Sequence, residues 1–140
     1  MRGADLLTLD SAPEFIEFHD GRLVGLTSSE SVLVMSFDHL VVYLSTADEN
    51  VKRARGFRAL TRFFGVASVD ARGTLEVPLK VSEADFSRQG VSLEPRSLAF
   101  DTDLVRFTFT TGAELRVTCT RCEIELLASN GFSERWEGPT

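Results

Sequence analysis

The sequence lacks several features that mark whole classes of protein. Cysteine occurs only at Cys119 and Cys122, so no disulfide framework is expected. No apolar run approaches the length of a membrane span, and acidic residues interrupt the opening stretch MRGADLLTLDSAPEF, where a signal peptide needs an unbroken apolar segment. We therefore expect a cytoplasmic protein that does not insert into a membrane.

The chain also lacks an excess of positive charge. Its net charge of -6 argues against a protein that binds DNA or RNA, because nucleic-acid binding rests on many phosphate contacts from a basic surface. The basic residues are nevertheless clustered, which leaves room for a small local anion site. The cluster consists of Lys52, Arg53, Arg55, Arg58 and Arg62.

Catalytic and metal-binding motifs are missing as well. No Ser-His-Asp set, glycine-rich phosphate loop or paired-carboxylate motif is present, and neither His19 nor His39 has metal-type spacing to a second ligand. Cys119 and Cys122 have C-x-x-C spacing, but no helix start follows them, so we predict small buried thiols on either side of a bulge or turn. We expect no enzyme activity, no metal and no cofactor.

Apolar and polar residues alternate with period two along most of the chain, which is typical of half-buried strands. The pattern predicts an all-β fold, a small antiparallel barrel or sandwich with little helix. A bulge is expected near Asp38. A three-residue loop from Thr110 to Gly112 would place Phe109 opposite Ala113, Phe107 opposite Leu115 and Val105 opposite Val117.

Three other segments are predicted from local signals. Ser11 and Glu14 form a capping box around Pro13, which favours a short helical turn before the first strand, although Asp20-Gly21 is a hairpin signal. Residues 51–62 are predicted to form an arginine-rich linker or a short frayed helix because of their charge and Gly56. Residues 131–140 are predicted to form a polar C-terminal tail.

The stretch EADFSRQGVSL, residues 83–93, has two interpretations. With Ser82 as N-cap, Asp85 three residues later and Gly90 as stop signal, it resembles a capped helical turn. Alternatively, D-x-S-x-x-G closes a strand and forms a polar loop placed to hold a ligand.

A second motif favours the ligand-holding interpretation. Arg58 and Arg62 form R-x-x-x-R, and Asp85, Ser87 and Gly90 form D-x-S-x-x-G after two intervening β-runs. In this order and separation the motifs resemble those of the PilZ domain, a small bacterial β-barrel that serves as a receptor for cyclic di-GMP. The resemblance covers roughly residues 52–128.

The resemblance implies a ligand site made of Arg58, Arg62, Asp85, Ser87 and Gly90. Arginine can grip phosphate oxygens bidentately, bond the guanine O6 and N7 atoms or stack on a base. The carboxylate of Asp85 would accept from guanine N–H groups, the Ser87 hydroxyl would bond nearby, and Gly90 would permit a tight turn.

The resemblance thus implies a cyclic di-GMP receptor that changes conformation on binding and signals to a downstream protein partner. Residues 1–50 would form an N-terminal β-segment, 51–62 the linker and 63–130 the PilZ-like barrel. The alternative is a protein-interaction domain of adaptor or immunity type, which binds no nucleotide and uses its acidic surface against a basic partner.

Overall fold

The computed structural model describes residues 13–44 and 51–137, and every regular element in these ranges is a β-strand. The strands are β1 (Pro13–Ser29), β2 (Val32–Leu44), β3 (Val51–Phe64), β4 (Ser68–Arg72), β5 (Leu79–Arg88), β6 (Val91–Leu93), β7 (Ala99–Asp101), β8 (Leu104–Phe109), β9 (Glu114–Thr118) and β10 (Arg121–Glu137). No helix in the described ranges is long and apolar enough to cross a bilayer.

All paired strands run antiparallel, in the order β4-β9-β8-β5-β1-β2-β3-β10-β7, and β6 pairs with β5. The prediction of an all-β antiparallel fold is confirmed. β4 and β7 end this order and, within the described residues, are not paired with each other. Closure into a barrel therefore stays a prediction.

The sheet folds over at β5 into two layers that share one hydrophobic core. One layer contains β1, β2, β3 and β10, and the other contains β5, β8 and β9. The ring of Phe107 on β8 lies 5.7 Å from that of Phe18 on β1 and 6.2 Å from those of Phe37 on β2 and Phe63 on β3. These ring contacts across the core show that the layers pack face to face.

The segment predicted as a linker is an ordinary strand. β3 includes residues 51–62, and it pairs with β2 on one side and β10 on the other. Phe57, Ala59 and Phe63 are buried, whereas Arg58 is exposed. The linker prediction was wrong because the density of charge hid this alternation of buried and outward residues.

Both ends of the described chain also differ from the predictions. β10 continues to Glu137, where it pairs with Val51, so most of the predicted tail is strand and residues 138–140 lie outside the described residues. From Pro13 onward the predicted helical turn is strand, and Ser11 is not described. Asp20, with φ of +67°, and Gly21 form a bulge within β1 rather than a hairpin turn.

Two local predictions are confirmed. Phe107 pairs with Leu115 and Val105 with Val117, Phe109 N donates to Ala113 O at 2.9 Å, and Gly112 has φ of +92°. The register of β2 against β3 shifts between Phe37 and Leu40, which is the bulge expected near Asp38. This shift changes the buried side of β2, so Leu40, Val42 and Leu44 are buried beyond it.

The substitution Phe107→Ala should lower the free energy of unfolding by about 3–5 kcal/mol, because it removes the ring shared by both layers and leaves a cavity. Chemical denaturation measures the change. Val69→Ala on β4, where the side chain is 45% exposed, is the matched control and should change stability by less than about 0.5 kcal/mol. A similar small effect of Phe107→Ala would contradict the packing described here.

Candidate functional site

The D-x-S-x-x-G motif forms a strand and the tight turn that follows it. β5 and β6 make a hairpin in which Arg88 pairs with Val91, so the turn consists of Gln89 and Gly90. Their φ values are +52° and +78°, as a type I′ turn requires at both central residues. The helical interpretation of this stretch is therefore wrong, and the sheet restarts at Val91.

Asp85 and Ser87 lie on the same outer face of β5. A register shift between Val81 and Glu83 determines which side chains of β5 face the core. After this shift Phe86 points into the core and its two neighbours point outward. The Asp85 carboxylate pairs with Arg106 on β8 at 3.1 Å, and both side chains are 43% exposed. The backbone oxygen of Ser87 accepts hydrogen bonds from Thr102 Oγ1 at 2.8 Å and Asp103 N at 3.0 Å. These bonds hold the end of the hairpin against the start of β8.

Arg58 and Arg62 share the outer face of β3, because they are four positions apart on a strand of period two. Arg62 Nη1 donates to Glu125 Oε1 on β10 at 2.7 Å. Arg58 is exposed and makes no ion pair with the residues that the structure describes. Both guanidinium groups therefore project from a strand that is paired on both sides rather than from a linker.

The two motifs belong to different layers of the fold. Phe63, which follows Arg62, and Phe86, which lies between Asp85 and Ser87, both pack on Phe107, with ring centroids 6.2 and 6.1 Å away. The core thus lies between the outer face with the arginine pair and the outer face with Asp85 and Ser87. The structure brings together Asp85, Ser87 and Gly90, and separately Arg58 and Arg62, but it does not gather all five into one pocket.

A row of charged side chains connects the two motifs around the rim of the layers. It begins with the Arg62–Glu125 pair; Glu123, the strand partner of Arg62, accepts from Arg121 at 3.0 Å. Asp101 on β7 then lies 3.2 Å from Arg121 and 3.9 Å from Arg88, which precedes the turn. We call these residues the charged rim.

The charged rim borders a shallow cavity of about 430 Å³ lined by Arg88, Asp101, Thr102, Asp103, Cys119, Thr120 and Arg121. The pKa of Arg121 is raised above its ordinary value, chiefly by the hydrogen bond from its guanidinium to Glu123 and also by the one to Asp101. Asp103 Oδ2 accepts from Gln89 N at 2.7 Å, which fixes the turn beside the cavity. Arg88 and Arg121 were not among the predicted site residues, although Arg88 lies inside the D-x-S-x-x-G motif.

Both cysteine thiols are free and buried, as predicted. Burial raises the pKa of Cys119 to about 11 and raises that of Cys122 further.

His39 Nδ1 lies 2.8 Å from Asn130 Nδ2, and His19 lies 3.3 Å from the Asp20 carboxylate. No group of His, Cys, Asp and Glu side chains suited to a metal ion occurs in the ranges 13–44 and 51–137.

No protein-family model matches the chain, and no curated protein matches it either. The likeness to PilZ domains therefore depends on the two motifs themselves.

Substitutions in the hairpin turn should have opposite effects on stability. Gly90→Ala should lower the free energy of unfolding by about 1–2 kcal/mol, because φ of +78° strains a residue with a Cβ even though no atom of the described residues lies within 4 Å of that position. Gln89→Asn should raise it by up to about 1 kcal/mol, since asparagine tolerates positive φ. Chemical denaturation checks both, and an unchanged Gly90→Ala variant would contradict the assigned turn.

Cys119 and Cys122 should react slowly with iodoacetamide in the folded protein at mildly alkaline pH and quickly in denaturant. A raised thiol pKa means that the folded state keeps its thiol protons at pH values at which the unfolded chain has released them. Stability should therefore fall as pH rises from about 9.0 towards 11 for Cys119. Mass spectrometry of the alkylated protein gives the rates. Rapid modification of both thiols without denaturant would contradict their burial.

Proposed function

We propose that this protein is a PilZ-like receptor for cyclic di-GMP that acts by changing conformation rather than by catalysis. The observation that supports this most is the fold of the D-x-S-x-x-G motif. It presents Asp85 and Ser87 side by side on an outer face, next to an open turn at Gly90. A helical turn would have separated these groups from the sheet.

The chemistry of the outer face suits one guanine base. A carboxylate accepts from the N1 and N2 hydrogens of guanine, and an adjacent hydroxyl can donate or accept. The partner of Asp85, Arg106, is exposed to the same extent as Asp85, and exposed ion pairs contribute little to stability. Exchange of this ion pair for bonds to a base would therefore cost little.

The charged rim suits the two phosphates of the ligand. Arg88 and Arg121 share the carboxylate of Asp101, Arg121 also donates to Glu123, and Arg62 is held by Glu125 at an exposed position. Guanidinium groups bind phosphate bidentately, and charge-assisted hydrogen bonds are stronger than neutral ones. A phosphate could replace the carboxylate partners without leaving an arginine buried and unpaired.

Engagement of both motifs by one ligand requires movement, because the core separates Arg58 and Arg62 from Asp85 and Ser87. We place the switch in β3 and β10, whose outer face carries the arginine pair. β3 pairs with β2 from Leu33 to Leu44, so its movement would be transmitted to the N-terminal strands. The ligand shifts this equilibrium in proportion to its differential affinity for the two arrangements. We also propose that the sheet closes into a barrel, that the protein is cytoplasmic and that it signals to a downstream protein partner.

Isothermal titration calorimetry with cyclic di-GMP tests the proposal. The parent protein should bind, and the double variant Arg58→Ala, Arg62→Ala should bind at least about tenfold more weakly, because each arginine supplies a phosphate or base contact. Asp85→Asn should weaken binding of cyclic di-GMP through loss of the acceptor for guanine N–H groups. Arg72→Ala on the exposed strand β4 is the matched control and should bind as the parent does.

Thermal unfolding of each variant establishes that it is folded before titration. Absence of both heat and thermal shift with the parent protein at high micromolar ligand would refute the nucleotide proposal. So would equal affinity of the parent and the double arginine variant. Equal binding of cyclic di-AMP would contradict the assigned role of Asp85 in recognising guanine.

A further inference from the structure

A groove separates β1 from the β5–β6 hairpin. β1 pairs with β5 through Arg22 with Lys80 and Leu23 with Leu79, and no further pairs join these two strands within the described residues. Beyond these pairs β5 turns to follow β8 and β6, while β1 continues along β2. The strands enclose a cavity of about 400 Å³, lined by residues 15–19 of β1, 82–86 of β5 and 92–95.

The groove is negatively charged. Four carboxylates line it, and no lysine or arginine does so among its described lining residues; the four are Glu17, Glu83, Asp85 and Glu94. The arginines that pair with Asp85 and Glu94 lie outside the lining. Glu83 is exposed and makes no ion pair with the described residues. Lysine or arginine side chains of a partner would therefore find uncompensated negative charge on the β5 side.

The groove also contains apolar surface and the side of β1 that faces away from β2. Ile16, Phe18 and Phe86 form the buried floor, and Phe15 and Leu93 are partly exposed at the walls. Ile16 N donates to Pro95 O at 2.8 Å, so a non-strand backbone segment already lies beside β1 at one end. A strand edge with alternating pockets and charges is the arrangement by which proteins bind extended peptides through strand addition.

We infer that this groove binds an extended segment of a partner protein in which lysine or arginine alternates with apolar residues. The segment would add to β1 by backbone hydrogen bonds, direct its basic side chains outward towards Glu17 and Glu83, and place its apolar side chains on the opposite side, over Ile16 and Phe18. Charge complementarity selects the partner, and the strand edge fixes its extended form. The groove shares Asp85 with the proposed nucleotide site, but the inference does not depend on cyclic di-GMP binding, because it uses Glu17 and Glu83.

The probe is a capped seven-residue peptide of alternating lysine and valine, titrated into the full chain and followed by backbone amide chemical shifts. The largest shifts should fall on residues 15–19 and 82–86. A peptide with proline at its centre should bind at least about tenfold more weakly, because it lacks a backbone donor. A peptide of alternating glutamate and valine should not bind. Shifts centred elsewhere, or equal binding of the proline peptide, would overturn the inference.

Charge reversal supplies the second measurement. Glu83→Lys should weaken binding of the lysine–valine peptide about tenfold or more at low salt. Glu76→Lys, an exposed acidic residue outside the groove, is the matched control and should bind as the parent does. Equal affinity of Glu83→Lys and Glu76→Lys would overturn the inference. Ultracentrifugation tests another occupant: a dimer of the parent chain that Glu83→Lys dissociates would show that a second copy fills the groove.

Discussion

Aromatic packing around Phe107 is the constraint on which the rest of the fold depends. The layers are hydrogen-bonded to each other at β1 and β5 through two residue pairs, so the sheet alone would not hold them face to face. The rings of Phe18, Phe37 and Phe63, from three of the four strands of one layer, meet Phe107 of the other. Because this core fills the space between the layers, polar chemistry is restricted to the outer faces, the rim and the groove beside β5.

The same constraint explains why the charged residues of this protein can exchange their ion-pair partners. Arg62, Asp85 and Arg121 make their ion pairs on exposed surfaces, where such pairs contribute little to folding. A phosphate or a guanine edge can therefore replace a carboxylate or guanidinium partner without disturbing the core. In the groove, by contrast, Glu83 makes no ion pair with the described residues, which leaves its charge available to a basic partner.

Much of the strand structure was predictable because it is encoded by neighbours in the sequence. The hairpin of Phe107 and Leu115 was predicted correctly, since Gly112 and strict alternation on both sides allow one register. β3 was missed because Gly56 and five basic residues resemble a linker, and only pairing with β2 and β10 makes that segment a strand. The strand after residue 130 was missed for the same reason, because it is stabilised by its distant partner β3.

Outside β3 and the end of β10, the sequence by itself determined which residues alternate between core and surface, where the bulge near Asp38 and the turn at Gly112 fall, and that both cysteines are buried. These follow from side-chain polarity and local backbone preference. Only the tertiary structure decided that Arg58 and Arg62 face one side of the core while Asp85 and Ser87 face the other. Period-two alternation indicates whether a side chain points outward, but it does not indicate to which of the two layers the strand belongs. That depends on where the sheet folds, which is set by long-range packing around Phe107.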